Sequence, residues 1–216
     1  MLELVAAGEW SDIVFRYHVP HEDLAALRDT GVDPDGIREM LDLLSHDRSP
    51  ETLSDMIDGR FRPWNYIGPP YGSPTRFSDG TWPVCYTALD DETAREEIIY
   101  HHGRTLFGRF ETPRTVYYCL VELAYAGQTA DLRELIEQWP DLVNISDYSF
   151  CNNLGREAVQ RALSALLAPS ARYQGGTNVP VFRRDALRAP RQLSAAAFTF
   201  DPKTGVVTVT YPSTDG

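Results

Sequence analysis

The sequence predicts an α+β fold: a mixed sheet flanked by helices, with a helical insertion near the N-terminus. Three observations predict it. Runs rich in β-branched and aromatic residues recur along the chain, the longest being Thr115 to Ala124. Helical stretches open on capping residues, at Asp90 or Asp91 and at Ser49-Pro50. Strands and helices follow one another without strict alternation, which fits α+β better than a doubly wound parallel sheet. A chain of 216 residues, 43% hydrophobic and 24% charged, suits a single domain with a full core.

Taken in order, residues 2–9 read as a short helix. Asp12 to His18 reads as a first strand, stopped by Pro20. Arg16 is unusual there, following three apolar residues. Either it sits at an edge in solvent, or its guanidinium is aimed into a pocket for phosphate or carboxylate. Residues 21–58 read as helical and carry no evident chemistry. They comprise His21 to Arg28, a second helix capped by Asp33 or Asp35, and a third opened by Ser49-Pro50-Glu51. Residues 59–82 form a long irregular stretch with Arg60, Arg62 and Arg76. Its aromatics, Phe61, Trp64, Tyr66, Tyr71 and Trp82, argue for an ordered loop of the kind that walls active sites. It holds no GxxxxGK[ST] or GxGxxG motif.

Pro83 to Ala88 then reads as a short buried strand, and Asp90 or Asp91 to about His102 as a helix. After the Thr115–Ala124 strand, Asp131 is expected to cap a helix over LRELIEQW that Pro140 stops. A further helix spans roughly Asn153 to Leu163. A strand or strand edge lies in Ala165 to Arg172, a turn at Gly175-Gly176 and a strand at Asn178 to Phe182. The tail, Ala195 to Tyr211, reads as a hairpin about Asp201 to Gly205.

A net charge of -11 argues against a nucleic-acid backbone or an anionic membrane as the main partner. It is compatible with a basic protein partner, or with an anionic ligand held in a local cationic pocket. The three cysteines, Cys85, Cys119 and Cys151, are odd in number and widely spaced. They read as buried free thiols in a reducing compartment, the cytoplasm. MLELVAAGEW is too short and acidic for a signal peptide, and no apolar run suits a membrane span.

Metal chemistry finds no support. His18 and His21 are separated by Pro20, the adjacent His101-His102 point apart on a helix, and no Cys/His spacing fits zinc. No nucleophile elbow surrounds Ser170, and Cys–His catalysis has no spacing behind it. What remains is a dispersed polar set: Arg16-Tyr17, Arg76, Tyr86, Glu97 and Ser170. Each has a plain structural reading: Tyr86 as a core aromatic, Glu97 as a solvated helix carboxylate, Ser170 as a turn residue. Yet Arg76 lies ten residues before Tyr86, and Tyr86 eleven before Glu97. Glu97 also shares a helix face with Ala94, Tyr100 and His101. If that face packs on the sheet, its carboxylate needs partners or a ligand.

In order and spacing this set resembles the RES domain family. The matching segments are Val14-Phe15-Arg16-Tyr17, Arg76-Phe77, Tyr86-Thr87-Ala88 and the Glu-x-x-x-His of Glu97 to His101. The later ones are Ala168-Pro169-Ser170-Ala171-Arg172 and Asn178 to Phe182. Where the family reads Gly-Gly-Arg-Trp-Asn, this chain reads Thr75-Arg76-Phe77-Ser78. Arg62 precedes Trp64-Asn65 but is too far from Tyr86, so Arg76 is the assigned arginine. The resemblance implies one domain over residues 1–216, interrupted by 21–58. It implies an ADP-ribosyltransferase-like core and NAD+ as a consumed substrate, with no metal. It also implies the toxin of a bacterial pair, bound by an Xre-type antitoxin. Cleavage by water or phosphate is the leading expectation. Transfer of ADP-ribose to a protein, or a silent nucleotide- or partner-binding module, are the alternatives. Glu97, Arg76 and Tyr86 are then the catalytic candidates, and Arg16, Tyr17, Ser170 and Asn178 the substrate contacts.

Overall fold

A computed structural model describes residues 1–19, 49–63, 68–106 and 111–212. The helices expected at His21–Arg28 and after Asp33 lie outside these residues. A turn of 3-10 helix at Leu2–Leu4 leads into strand β1, Ala7–His18. The short helix expected over 2–9 is therefore wrong beyond its first turn. So few residues cannot hold a helix without tertiary support, and here pairing wins. Ala7 to Trp10 lie opposite Ala130 to Gly127 of a neighbouring strand.

Helix α1 spans Pro50–Asp58. Ser49 caps it, accepting from Thr52 N at 3.2 Å, and proline stands in the first turn. Its buried Leu53, Met56 and Ile57 recur at helical spacing and join the main core. Strand β2, Cys85–Ala88, and helix α2, Asp91–Leu106, follow. Strand β3, Arg114–Asp131, is longer than its apolar run. Its second half is read through because β1 pairs along it as far as Ala130. Helix α3 is Ser149–Gln160, and strands β4 to β7 are Ala165–Pro169, Thr177–Val181, Leu187–Phe200 and Val207–Thr210.

The helix expected over LRELIEQW is absent. Two 3-10 turns, Arg133–Leu135 and Pro140–Val143, replace it. Leu132 N donates to Leu167 O at 2.8 Å and holds the chain against β4, leaving too few residues before Pro140 for a helix to propagate.

The result is a mixed α+β arrangement. One seven-stranded sheet has the order β1-β2-β5-β4-β3-β6-β7, and β1 also pairs with β3. That pairing brings β1, β2, β5, β4 and β3 round into a ring, with β6 and β7 extending from β3. All pairings are antiparallel except β3 with β4. β1 touches β2 at the single pair Phe15–Ala88. The three cysteines are buried and free of disulfides. No described helix is long and apolar enough to cross a membrane.

Candidate active site

The site begins at the start of α2. Asp90 settles the choice of cap: its carboxylate accepts from Thr93 N at 2.6 Å and from Thr93 Oγ1 at 2.8 Å. That fixes the rotation of the helix and turns Ala94 and Glu97 inward, toward β5 and the chain just after β4. Asn178 of β5 donates from Nδ2 to Glu97 Oε1 at 2.6 Å, and Ser170 Oγ donates to the same oxygen at 3.0 Å. Ser170 is itself oriented by the backbone N–H groups of Arg172 and Tyr173, both at 3.1 Å. His101, one turn on, places Nε2 at 3.6 Å from Oε2. Burial works against the charge of Glu97. Hydrogen bonds from His101, Asn178 and Ser170, with the charge of His101, outweigh it and hold the carboxyl below its usual value.

Arg76 sits in the loop before β2 and is almost fully buried, at 7% exposure. Its Nη2 donates to the carbonyls of Leu142 and of Pro169, the latter at 2.9 Å. Among the described residues its Nε and Nη1 have no oxygen acceptor, and the buried Cys151 sulfur lies close enough to interact with the guanidinium. The loop is pinned from both sides. The Tyr86 hydroxyl accepts from Phe77 N and shares a hydrogen bond with Thr75 Oγ1, both at 2.8 Å. Asn152 of α3 donates to the carbonyls of Thr75 at 2.7 Å and Arg76 at 3.0 Å. Burial pushes the Tyr86 phenol well above its usual value.

On β1, Arg16 donates to the carbonyl of Tyr86, while its Nε is buried without a partner among the described residues. Arg16 thus lies on the wall of a cavity. Beside it stands Arg60. The charge of Arg16 first, and the surrounding protein second, lower the Arg60 guanidinium to about 10. Tyr17 packs edge-on against Phe198 at 5.4 Å and Tyr118 at 6.3 Å. Its phenol is raised first by burial and then by Tyr211.

These elements enclose a cavity of about 350 Å³. Arg16, Tyr17, Arg76, Tyr86, Glu97 and Asn178 all line it, drawn from β1, the loop, β2, α2 and β5. Ser170 lies one hydrogen bond behind Glu97 rather than on the wall. Two arginines on the wall were not singled out from the sequence. Arg60 stood among the loop arginines, with nothing in the spacing to favour it. Arg172 stood two residues after Ser170. It stacks on Tyr100 with Cζ 3.3 Å from the ring centroid, and donates to the Tyr148 hydroxyl at 3.0 Å. Tyr118 and Tyr148 also reach the wall, and no sequence signal marked them. Among the described residues, no three His, Cys, Asp or Glu side chains are grouped as a metal site would require.

A carboxylate whose pKa is held low and four arginines thus share the wall of one cavity. The RES domain family model matches residues 48–201, more than half of the chain, and the protein belongs to that family. The match takes in α1, so residues 48–58 lie within the family's span. It begins after β1, so Arg16 and Tyr17 lie outside it. Among solved structures, the chain is similar to one from the crystal structure of the M. tuberculosis MbcT–MbcA toxin–antitoxin complex. The two share 17% identity at a TM-score of 0.46, over 92% of this chain and 89% of that one. No curated protein matches.

Proposed function

We propose that this protein is an NAD+-degrading enzyme and the toxin of a bacterial toxin–antitoxin pair, a single RES-like domain on an ADP-ribosyltransferase-like core. The observation that carries the reading is Glu97. Its carboxylate keeps its charge on the cavity wall through Asn178, Ser170 and His101, with guanidinium groups facing the same space.

The bond between nicotinamide and ribose breaks heterolytically. Its electron pair leaves with nicotinamide and neutralises the ring, and positive charge develops at the anomeric carbon. Glu97 stabilises that charge and accepts from a ribose hydroxyl. Arg16 and Arg76 take the diphosphate through charge-assisted hydrogen bonds. Tyr17 and Tyr86 offer ring faces to nicotinamide or adenine. Ser170 and Asn178 serve through Glu97, which both orient. Water or phosphate then adds to the anomeric carbon and gives up a proton. The partner is an Xre-type antitoxin that covers the cavity, a reading the acidic surface of the toxin suits.

Nicotinamide release from NAD+ tests the proposal, with and without inorganic phosphate. Release that needs phosphate makes the enzyme a phosphorylase, and release without it a glycohydrolase. Release only with an added target protein favours the transferase alternative. No release, with nucleotide still bound, favours the silent module.

A further inference from the structure

The cavity holds more positive charge than the site residues above require. Among the described residues, Arg16, Arg60, Arg76 and Arg172 all line it, against the single carboxylate of Glu97. Among the described residues none of the four has a carboxylate within ion-pair distance. Glu97 spends its oxygens on Asn178, Ser170 and His101 instead. The protein as a whole carries a net charge of -11, so this cationic excess is local. A guanidinium taken out of bulk water without a counter-charge is costly, and the chain bears that cost here. Among the described residues, two nitrogens of Arg76 and one of Arg16 are buried with no oxygen acceptor, the Cys151 sulfur being the near neighbour of Arg76.

Arg60 makes the case sharper. It leaves the turn after α1 and enters the same wall as Arg16. The mutual repulsion is strong enough to lower the Arg60 guanidinium to about 10. Its neighbour Arg62 behaves differently: both side chains are exposed, but Arg62 turns away to pair with Asp58 at 3.6 Å, whereas Arg60 lines the cavity. Like charges placed together in a cavity repel until an anion lies between them.

We propose that Arg60 is a ligand-binding residue, paired with Arg16 to grip one doubly charged phosphate-type group inside the cavity. The inference rests on the nucleotide reading only for the source of that group. The group is either the diphosphate of the substrate or a free phosphate bound beside it.

Calorimetric titration of the whole chain with inorganic phosphate, inorganic diphosphate and ADP tests it, on wild type, Arg60→Gln, Arg60→Lys and Arg62→Gln. Wild type is expected to bind at least one probe. Arg60→Gln should weaken that binding by about tenfold or more, and Arg62→Gln should leave it unchanged. Arg60→Lys should fall between, keeping the charge without the planar fork. Without ligand, Arg60→Gln should melt no lower than wild type, because a repulsion has been removed. A structural role for Arg60 would lower it. Binding of diphosphate and ADP with phosphate silent assigns the pair to the substrate's diphosphate. Binding of phosphate itself assigns the pair to a free anion. Wild-type affinity in Arg60→Gln, or no binding of any probe to wild type, overturns the proposal. If diphosphate binds through Arg60 yet NAD+ yields no nicotinamide, the enzymatic reading fails and the guanidinium pair stands.

Discussion

Burial alone would raise the pKa of Glu97, and its neighbours lower it instead. Its folded-state carboxyl lies below 4.5, the unperturbed value. The stability this contributes is complete above about pH 4.5 and is lost as pH falls through the depressed folded value. Asn178→Asp should reverse the balance, since a second carboxylate would face Glu97 in place of an N–H donor. The acidic limb of a pH–rate profile should then move upward and turnover at neutral pH should fall. An unchanged limb would mean Asn178 does not set the charge of Glu97. Tyr86 is a different kind of residue. Its ring reaches the cavity, but its hydroxyl ties Thr75 to the N–H of Phe77. Tyr86→Phe leaves that buried N–H unpaired and should cost about 1–3 kcal/mol in denaturant unfolding. Substrate affinity should weaken too, because the Arg76 loop loses its tether. Their spacing singled both residues out, and both line the cavity. It could not say which partners Glu97 meets, because Ser170, just after β4, and Asn178, on β5, lie 73 and 81 residues away from it.

The elements carry these side chains by close packing. Gly155 in α3 faces the backbone of Phe77, and a Cβ there would collide with its carbonyl oxygen. Alanine usually stabilises a helix interior over glycine. Here Gly155→Ala should instead cost about 1–3 kcal/mol, as overpacking does. Nucleotide binding should weaken with it, because the displaced loop carries Arg76. Thermal melts and ligand titration of the same variant check both halves. How legible each element was follows its local signals. The cap at Asp90 and the hairpin turn at Asp201–Gly205 were readable because side chains and backbone there satisfy one another within a few residues. The second half of β3 was not, since Ala-Tyr-Ala-Gly-Gln-Thr-Ala has a weak strand pattern and is extended only because β1 lies along it. The missing helix after Asp131 failed for the same reason, long-range pairing at Leu132 overriding a local helical pattern.

At the scale of the molecule, β3 is the spine, with β1 along one edge and β6 and β4 along the other. The ring of strands closes at its weakest seam, the single β1–β2 pair beside the cavity. Native-state amide exchange should show β3 and β6 opening only with global unfolding. The amides of β2 should exchange through a smaller, local opening, and ligand should slow them. Equal protection of β2 and β3 without ligand would contradict this picture. The polar wall is thus assembled from segments that meet only when the ring closes, so spacing was legible along the chain and geometry was not.

In the proposed reaction Glu97 stabilises the cationic transition state of NAD+ cleavage. Nicotinamide release by wild type and Glu97→Gln, with NAD+ affinity measured on both, tests this role. Turnover is expected to fall by about a hundredfold or more while affinity changes little, because the lost interaction belongs to the transition state. A folded Glu97→Gln protein that releases nicotinamide at the wild-type rate would contradict it.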